Sequence, residues 1–213
     1  MIKHRKEDFP PTLPGFESIN RYWDNSKQKV VAKILPGEYY VTRNPELITT
    51  VLGSCVSACI RDPINGVGGM NHFLLPLNRG EEWTSESPPL DLASRYGAYA
   101  MEHMINDILK HGARRESLEV KIFGGSRIIN TMTDVGNSNI RFVRNYLEVE
   151  NLKLVAEDVG GSNPRKVLYI PETGKVMVKR IRELHNDTIA RREVAYIDSF
   201  EKEAVEGEID LFE

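Results

Sequence analysis

Apolar residues gather in short runs along most of this chain, and polar, proline and glycine positions separate the runs. Each run is four to seven residues long, many of them rich in β-branched and aromatic side chains, which is the pattern of β-strands joined by turns. The pattern predicts strands at 30–35, 38–42, 48–52, 56–61, 69–75, 118–123, 153–159, 167–170 and 175–178.

Two longer segments carry apolar residues three and four positions apart, the spacing of a helix that is buried on one face. They are residues 92–111 and 140–150. Strands outnumber helices, and the two types follow one another in no regular order. The chain is therefore predicted to have an α+β fold, a layered α/β sandwich of mixed sheets with two main helices, and not a doubly wound parallel sheet.

Changes of polarity along the chain predict three regions. Residues 1–29 read as a polar arm, residues 30–180 as the folded domain, and residues 181–213 as a charged extension. We expect a helix at 181–196 in the extension. The acidic segment that follows is either a solvated tail or a docking segment.

Composition narrows the functional class. The chain has 213 residues, of which 40% are hydrophobic, and a formal net charge of −3, so it can build a core and shows no sign of binding nucleic acid. No apolar run approaches the roughly 18 residues that a membrane span needs, and the N-terminus does not resemble a signal peptide. We expect a cytoplasmic protein that does not insert into a membrane.

A predicted β-hairpin brings the most reactive pair of side chains together. Residues 62–66, Asp-Pro-Ile-Asn-Gly, are typical of a turn. If the hairpin is centred on Pro63 and Ile64, the residue directly opposite Cys55 is His72. Opposed side chains of an antiparallel pair have Cβ atoms about 4.5–5.5 Å apart, so this register predicts a thiol beside an imidazole.

Cys55 has two interpretations. A free cysteine is usually a small buried hydrophobe with a structural role. The alternative is a nucleophile that His72 activates, next to an oxyanion hole formed by backbone N–H groups near Gly53 and Ser54.

A nucleophile of this kind needs a third group to orient the imidazole, and Thr49 and Thr50 are the local candidates. The second cysteine, Cys59, is four residues from Cys55, which is about 13 Å along a strand and too far for a disulfide. We expect two free thiols and no zinc site, because no set of ligands with zinc-binding spacing accompanies them.

Several motifs resemble those of the CheD family of chemoreceptor glutamine deamidases. They are LGSCVSACIRDP, GGMNHFLLP, KIFGGS, GNSNI, DVGGSNPRKV and ETGKVMV. The GNSNI segment departs from the family pattern, because it lacks the arginine often found before its second asparagine. The resemblance extends from about Gly15 to Phe212.

This resemblance implies a layered sandwich similar to that of deamidating bacterial toxins and a cysteine hydrolase with a Cys-His-Thr triad. The nucleophile falls on Cys55, the base on His72 and the threonine on Thr49, with Thr50 as the alternative. The implied substrates are glutamines of chemoreceptor cytoplasmic domains, and no metal or cofactor is implied. Family members also bind a CheC-type phosphatase, so a non-catalytic regulator of that phosphatase is the alternative function. Hydrolysis of glutamyl methyl esters is an additional expected activity.

Overall fold

The structure is a computed structural model, and it describes residues 8–75, 92–128, 135–181 and 188–196. Within these ranges the chain forms ten strands in two five-stranded sheets. The strands are β1 Asn20–Asp24, β2 Lys29–Lys33, β3 Tyr39–Thr42, β4 Leu47–Leu52, β5 Val56–Asp62, β6 Val67–Asn71, β7 Glu119–Gly124, β8 Lys153–Val159, β9 Arg165–Ile170 and β10 Lys175–Arg180. The α-helices are α1 Leu92–Lys110, α2 Val135–Val149 and a shorter helix over 188–196, which we label α3. Arg115–Ser117 form a 3-10 helix.

Sheet A has the strand order β1-β2-β4-β9-β10, and sheet B has the order β3-β6-β5-β7-β8. Both sheets contain parallel as well as antiparallel pairs. The predicted α+β fold with mixed sheets is therefore confirmed. All nine predicted strands are present with ends shifted by a few residues, and β1, inside the predicted polar arm, is an additional strand that pairs with β2.

The two faces of sheet B have different neighbours. A Cβ atom on Gly68 of β6 would contact Pro171, which follows β9, whereas one on the adjacent Gly69 would contact Met104 of α1. Because adjacent residues of a strand point to opposite faces, sheet A covers one face of sheet B and α1 covers the other. The layers are therefore sheet A, sheet B and helix.

The β5–β6 hairpin has a different register from the predicted one. Cys59 pairs with Met70, and Asp62 pairs with Val67, so each residue of β5 pairs with a residue two positions further along the chain than the sequence predicted. The Asp62 carboxylate accepts the N–H groups of Ile64 and Asn65, which stabilises a four-residue loop. His72 is consequently not directly opposite Cys55, and that register prediction is wrong.

Among the described helices, none combines the length and apolar character required to cross a membrane. The predicted acidic tail at 198–213 lies outside the described residues.

Candidate active site

The loop that joins β4 to β5 carries the chain from sheet A to sheet B, and its carbonyl groups accept hydrogen bonds from neighbouring segments. The carbonyls of Gly53 and Cys55 accept N–H groups of residues 125–126 at 2.6 and 2.7 Å. The carbonyl of Ser54 accepts the side-chain amide of Asn139 at 2.8 Å. These hydrogen bonds fix the orientation of the peptide planes in the loop. Because the N–H and C=O of one peptide group point in opposite directions, the N–H groups point away from the carbonyls that accept these bonds.

The three N–H groups of this loop converge on the carboxylate of Glu193 in α3. Oε1 accepts the N–H groups of Gly53 at 2.9 Å and Cys55 at 3.3 Å, and Oε2 accepts the N–H of Ser54 at 2.8 Å and its hydroxyl at 2.5 Å. Glycine at position 53 leaves room for this contact, because a Cβ there would lie 2.8 Å from Oε1 and would displace the side chain of Ile128. Backbone donors that converge in this way are the arrangement that stabilises an oxyanion.

His72 reaches this loop from the segment after β6. Its N–H donates to the Glu38 carbonyl at 2.9 Å, and its carbonyl accepts the Gly37 N–H at 2.8 Å. The Cys55 sulfur, a ring nitrogen of His72 and a carboxylate oxygen of Glu193 lie within 4.8 Å of one another. The predicted proximity of thiol and imidazole is therefore present, although it does not come from direct opposition in the hairpin.

The Thr50 hydroxyl fixes the tautomer of His72. Its oxygen lies 2.9 Å from the Ile34 carbonyl and 2.7 Å from Nδ1 of His72. A carbonyl can only accept, so the single hydroxyl proton goes to Ile34, and Nδ1 must then donate its own proton to Thr50. Nε2 is left unprotonated, and it forms no hydrogen bond with any described residue, so it is the nitrogen that can take a proton.

The threonine whose hydroxyl contacts His72 is Thr50, and the predicted position of Thr49 beside the imidazole is corrected. The Thr49 hydroxyl donates to the Val167 carbonyl of β9 at 2.8 Å. Adjacent residues of β4 point to opposite faces, so only one of the two threonines can face His72. Thr49 and Cys55 are both at odd-numbered positions, but this does not place them on the same face, because the chain changes sheets between them.

Burial governs the charge states of the catalytic candidates. Burial, reinforced by the adjacent Glu193 carboxylate, raises the pKa of the Cys55 thiol well above its usual value. Burial, followed by the positive charge of Arg192, lowers the pKa of His72 to about 3. With α3 in place, the pair is therefore a neutral thiol and a neutral imidazole.

A thiol, an imidazole and a carboxylate at these distances are also a candidate ligand set for a metal ion. Both oxygens of Glu193, however, accept hydrogen bonds from the loop. The positive ends of these N–H dipoles point at the carboxylate, so the environment favours a negative group at that position. The second thiol, Cys59, is free and buried.

Sequence reasoning did not find two residues of this site. Glu193 is 138 positions from Cys55, in a charged segment where no pattern distinguishes it from the neighbouring charges. Asn139 also accepts the Leu75 N–H at 2.9 Å, and it thereby connects the segment after His72 to the Ser54 carbonyl. Asn139 lies in the GNSNI motif, to which the sequence alone assigns no role.

Comparison with known proteins gives a consistent result. The family model CheD, described as CheD chemotactic sensory transduction, matches residues 74–180. A relative from Hahella chejuensis is 54% identical over the whole of both chains, and one from Halorhodospira halophila is 50% identical over 99% of this chain and 98% of its own. A third, from Janthinobacterium sp. (strain Marseille), is 51% identical over 92% of this chain and 95% of its own. All three are named probable chemoreceptor glutamine deamidase CheD. This identity extends over the N-terminal segment, which carries Cys55 and His72, as well as over the residues that the family model matches. The chain therefore belongs to the CheD family.

Proposed function

We propose that this chain is a chemoreceptor glutamine deamidase, which hydrolyses glutamine side chains of receptor cytoplasmic domains to glutamate and ammonia. The observation that carries the proposal is the cluster of Cys55, His72 and Thr50 beside three convergent backbone N–H groups. The name shared by the relatives supports the reaction and the substrate class.

The first half of the reaction forms a thioester. Nε2 of His72 takes the thiol proton of Cys55, and the sulfur attacks the carboxamide carbon of the substrate glutamine. The N–H groups of the loop at Gly53–Cys55 stabilise the negative charge that develops on the carboxamide oxygen. The imidazolium then donates its proton to the amide nitrogen, the C–N bond breaks, and ammonia leaves.

The second half hydrolyses the thioester. His72 takes a proton from a water molecule, which attacks the acyl carbon, and the loop again stabilises the oxyanion. The C–S bond breaks, and Cys55 recovers its proton. Throughout the cycle, Thr50 keeps the Nδ1–H tautomer, so that Nε2 remains the nitrogen that accepts and returns the proton.

The proposal extends to partners and location. Chemoreceptor cytoplasmic domains would be the substrates, which places the enzyme in the cytoplasm. The same sulfur could attack a glutamyl methyl ester, with methanol as the leaving group in place of ammonia. A CheC-type phosphatase would be a regulatory partner.

The direct test incubates the protein with a chemoreceptor cytoplasmic fragment and follows the mass change that accompanies replacement of each side-chain NH2 by OH. The Cys55→Ala variant should be inactive, because it has no nucleophile. Cys59→Ala is the matched control, since it removes the other buried thiol of the same strand region and should retain activity. Deamidation by the Cys55→Ala protein would contradict the mechanism.

The burial of Cys55, which has no exposed surface, favours a second candidate, a non-catalytic regulator of a phosphatase. A pull-down with receptor fragment and with a CheC-type phosphatase separates the two functions. Phosphatase binding by a protein that never deamidates receptor would favour the regulator, whereas deamidation that depends on Cys55 favours the enzyme.

A further inference from the structure

Helix α3 places a glutamate side chain at the centre of the proposed catalytic site. Glu193 is 2% exposed, and its carboxylate accepts four hydrogen bonds from the loop around Cys55. No step of the proposed reaction uses this carboxylate. While the Glu193 carboxylate occupies the N–H groups of the loop, no other acyl group can bind to them.

Glutamate is also the product of glutamine hydrolysis. The two side chains have the same length, and a carboxylate has the same shape as the carboxamide from which it is formed. At Glu193 one carboxylate oxygen lies on the N–H groups of Gly53 and Cys55, and the carboxylate is adjacent to the Cys55 sulfur. These are the contacts that the reaction requires of a substrate side chain.

We propose that α3 is a built-in product analogue, in which Glu193 takes the place of the reacting side chain and closes the site until a receptor glutamine displaces it. This inference rests on the proposed deamidase function. It assigns α3 a role in that function: the helix competes with the substrate for the same backbone donors.

A second contact docks the far end of α3 over the segment that positions His72. The Tyr196 hydroxyl lies 2.5 Å from the Tyr96 hydroxyl of α1. The ring of Tyr196 lies against Gly37, where a Cβ atom would collide with it, and Gly37 donates to the His72 carbonyl. Two side chains about one helical turn apart therefore dock α3, Glu193 on the loop and Tyr196 beside the His72 backbone.

The N-terminal part of α3 borders open space, which is consistent with a segment that moves aside. Ile189 is buried under the helix, but a cavity of about 360 Å³ extends between α3 and the β2–β3 turn as far as His72. Release of α3 is opposed by the burial of Ile189 and by the contacts of Glu193 and Tyr196.

The first test measures closure without measuring deamidation. Cys55 is alkylated with iodoacetamide over a range of pH, so that the rate constant of the thiolate is separated from the pKa of the thiol, and the modification is quantified by peptide mass spectrometry. Glu193→Ala should react at least about tenfold faster than the wild type, because it loses several charged hydrogen bonds that hold α3 closed. Arg191→Ala is the matched control, since Arg191 is an exposed residue of the same helix, and it should react like the wild type.

An unchanged alkylation rate in Glu193→Ala would overturn the inference. Faster alkylation in both variants would also overturn it, because it would show that α3 is generally unstable and that Glu193 has no particular part in closure. Faster alkylation of Glu193→Ala without deamidation of any receptor glutamine would refute the proposed function and leave closure established, so the two failures are distinguishable.

The second test uses the enzyme's own chemistry. In Glu193→Gln, a glutamine stands beside Cys55, and hydrolysis of its carboxamide with one water would release ammonia and regenerate Glu193. We expect this conversion during incubation of the purified variant, and we expect the Glu193→Gln/Cys55→Ala double variant to keep its glutamine. A Glu193→Gln sample that deamidates receptor but retains its own introduced glutamine would contradict the assignment of residue 193 to the substrate side-chain position.

Discussion

Replacing Thr50 by valine tests the tautomer assigned to His72. Valine keeps the shape of threonine but has no hydroxyl, so the bonds to Nδ1 of His72 and to the Ile34 carbonyl are both lost. Without an acceptor at Nδ1, the ring no longer prefers the tautomer that leaves Nε2 free. Molecules that carry the proton on Nε2 cannot take a proton from Cys55.

The size of the effect follows from the buried hydrogen bond. A buried donor that loses its acceptor costs about 1–3 kcal/mol, and about 1.4 kcal/mol corresponds to a tenfold change in rate. We therefore expect kcat/KM for deamidation of a receptor fragment to fall about 10- to 100-fold in Thr50→Val. Thr50→Ser keeps the hydroxyl and should recover most of the activity.

The neighbouring residue provides a closely matched control. Thr49→Val makes the same chemical change one position earlier, but it removes only the bond to the Val167 carbonyl. We expect it to lower the free energy of unfolding by about 1 kcal/mol and to leave kcat/KM nearly unchanged. Thermal unfolding of each variant separates stability from activity. A Thr50→Val enzyme with wild-type kcat/KM, or a loss confined to Thr49→Val, would refute the reasoning.

Two other substitutions test the support of the site and of the hairpin. Asn139→Ala removes the side chain that holds the Ser54 carbonyl, and the loosened loop should lower kcat for deamidation by about 10- to 100-fold; wild-type kcat would contradict this role. Asp62→Asn should lower the free energy of unfolding at neutral pH by about 1–2 kcal/mol, measured by urea denaturation. Although burial alone would raise the pKa of Asp62, hydrogen bonds from Asn65, Arg114 and Ile64 outweigh it and lower the pKa to about 2. This stabilisation is complete above the unfolded-state pKa of about 3.9 and is lost as the pH falls towards 2. The difference in unfolding free energy between the variant and the wild type should therefore narrow below about pH 4. A difference that stays constant with pH would argue against an ionised Asp62 as its source.

Nine strands were predictable from the sequence, because each is a short apolar run between strong turn signals, and the structure has a strand at each of these runs. The strand β1, Asn20–Asp24, was missed because it lies at the edge of sheet A with a largely polar sequence. An edge strand buries less than a central one, so its apolar signal is weak. The start of α2 was also missed, because Val135–Asn139 is rich in glycine and asparagine, which are poor helix formers.

The candidate site was predictable only where its members are close in sequence. Cys55 and His72 stood out because one hairpin carries both, and their proximity tolerated an error of two residues in the register. The choice between Thr49 and Thr50 depended on how the chain turns between two sheets, and strand periodicity does not encode such a change. Glu193 was beyond reach, because its contact with the loop is a tertiary contact with no local pattern.

The loop donors also connect the stability of α3 to activity. The N–H groups of Gly53, Ser54 and Cys55 converge at a buried point, and a buried donor without an acceptor is costly. Glu193 supplies the acceptor in this structure, and the carboxamide of a substrate would supply it in the proposed reaction. Since both cannot bind at once, any substitution that strengthens the docking of α3 should raise the apparent KM for receptor. A substitution that weakens docking should lower the apparent KM, up to the point at which the unpaired N–H groups of the loop destabilise the folded protein.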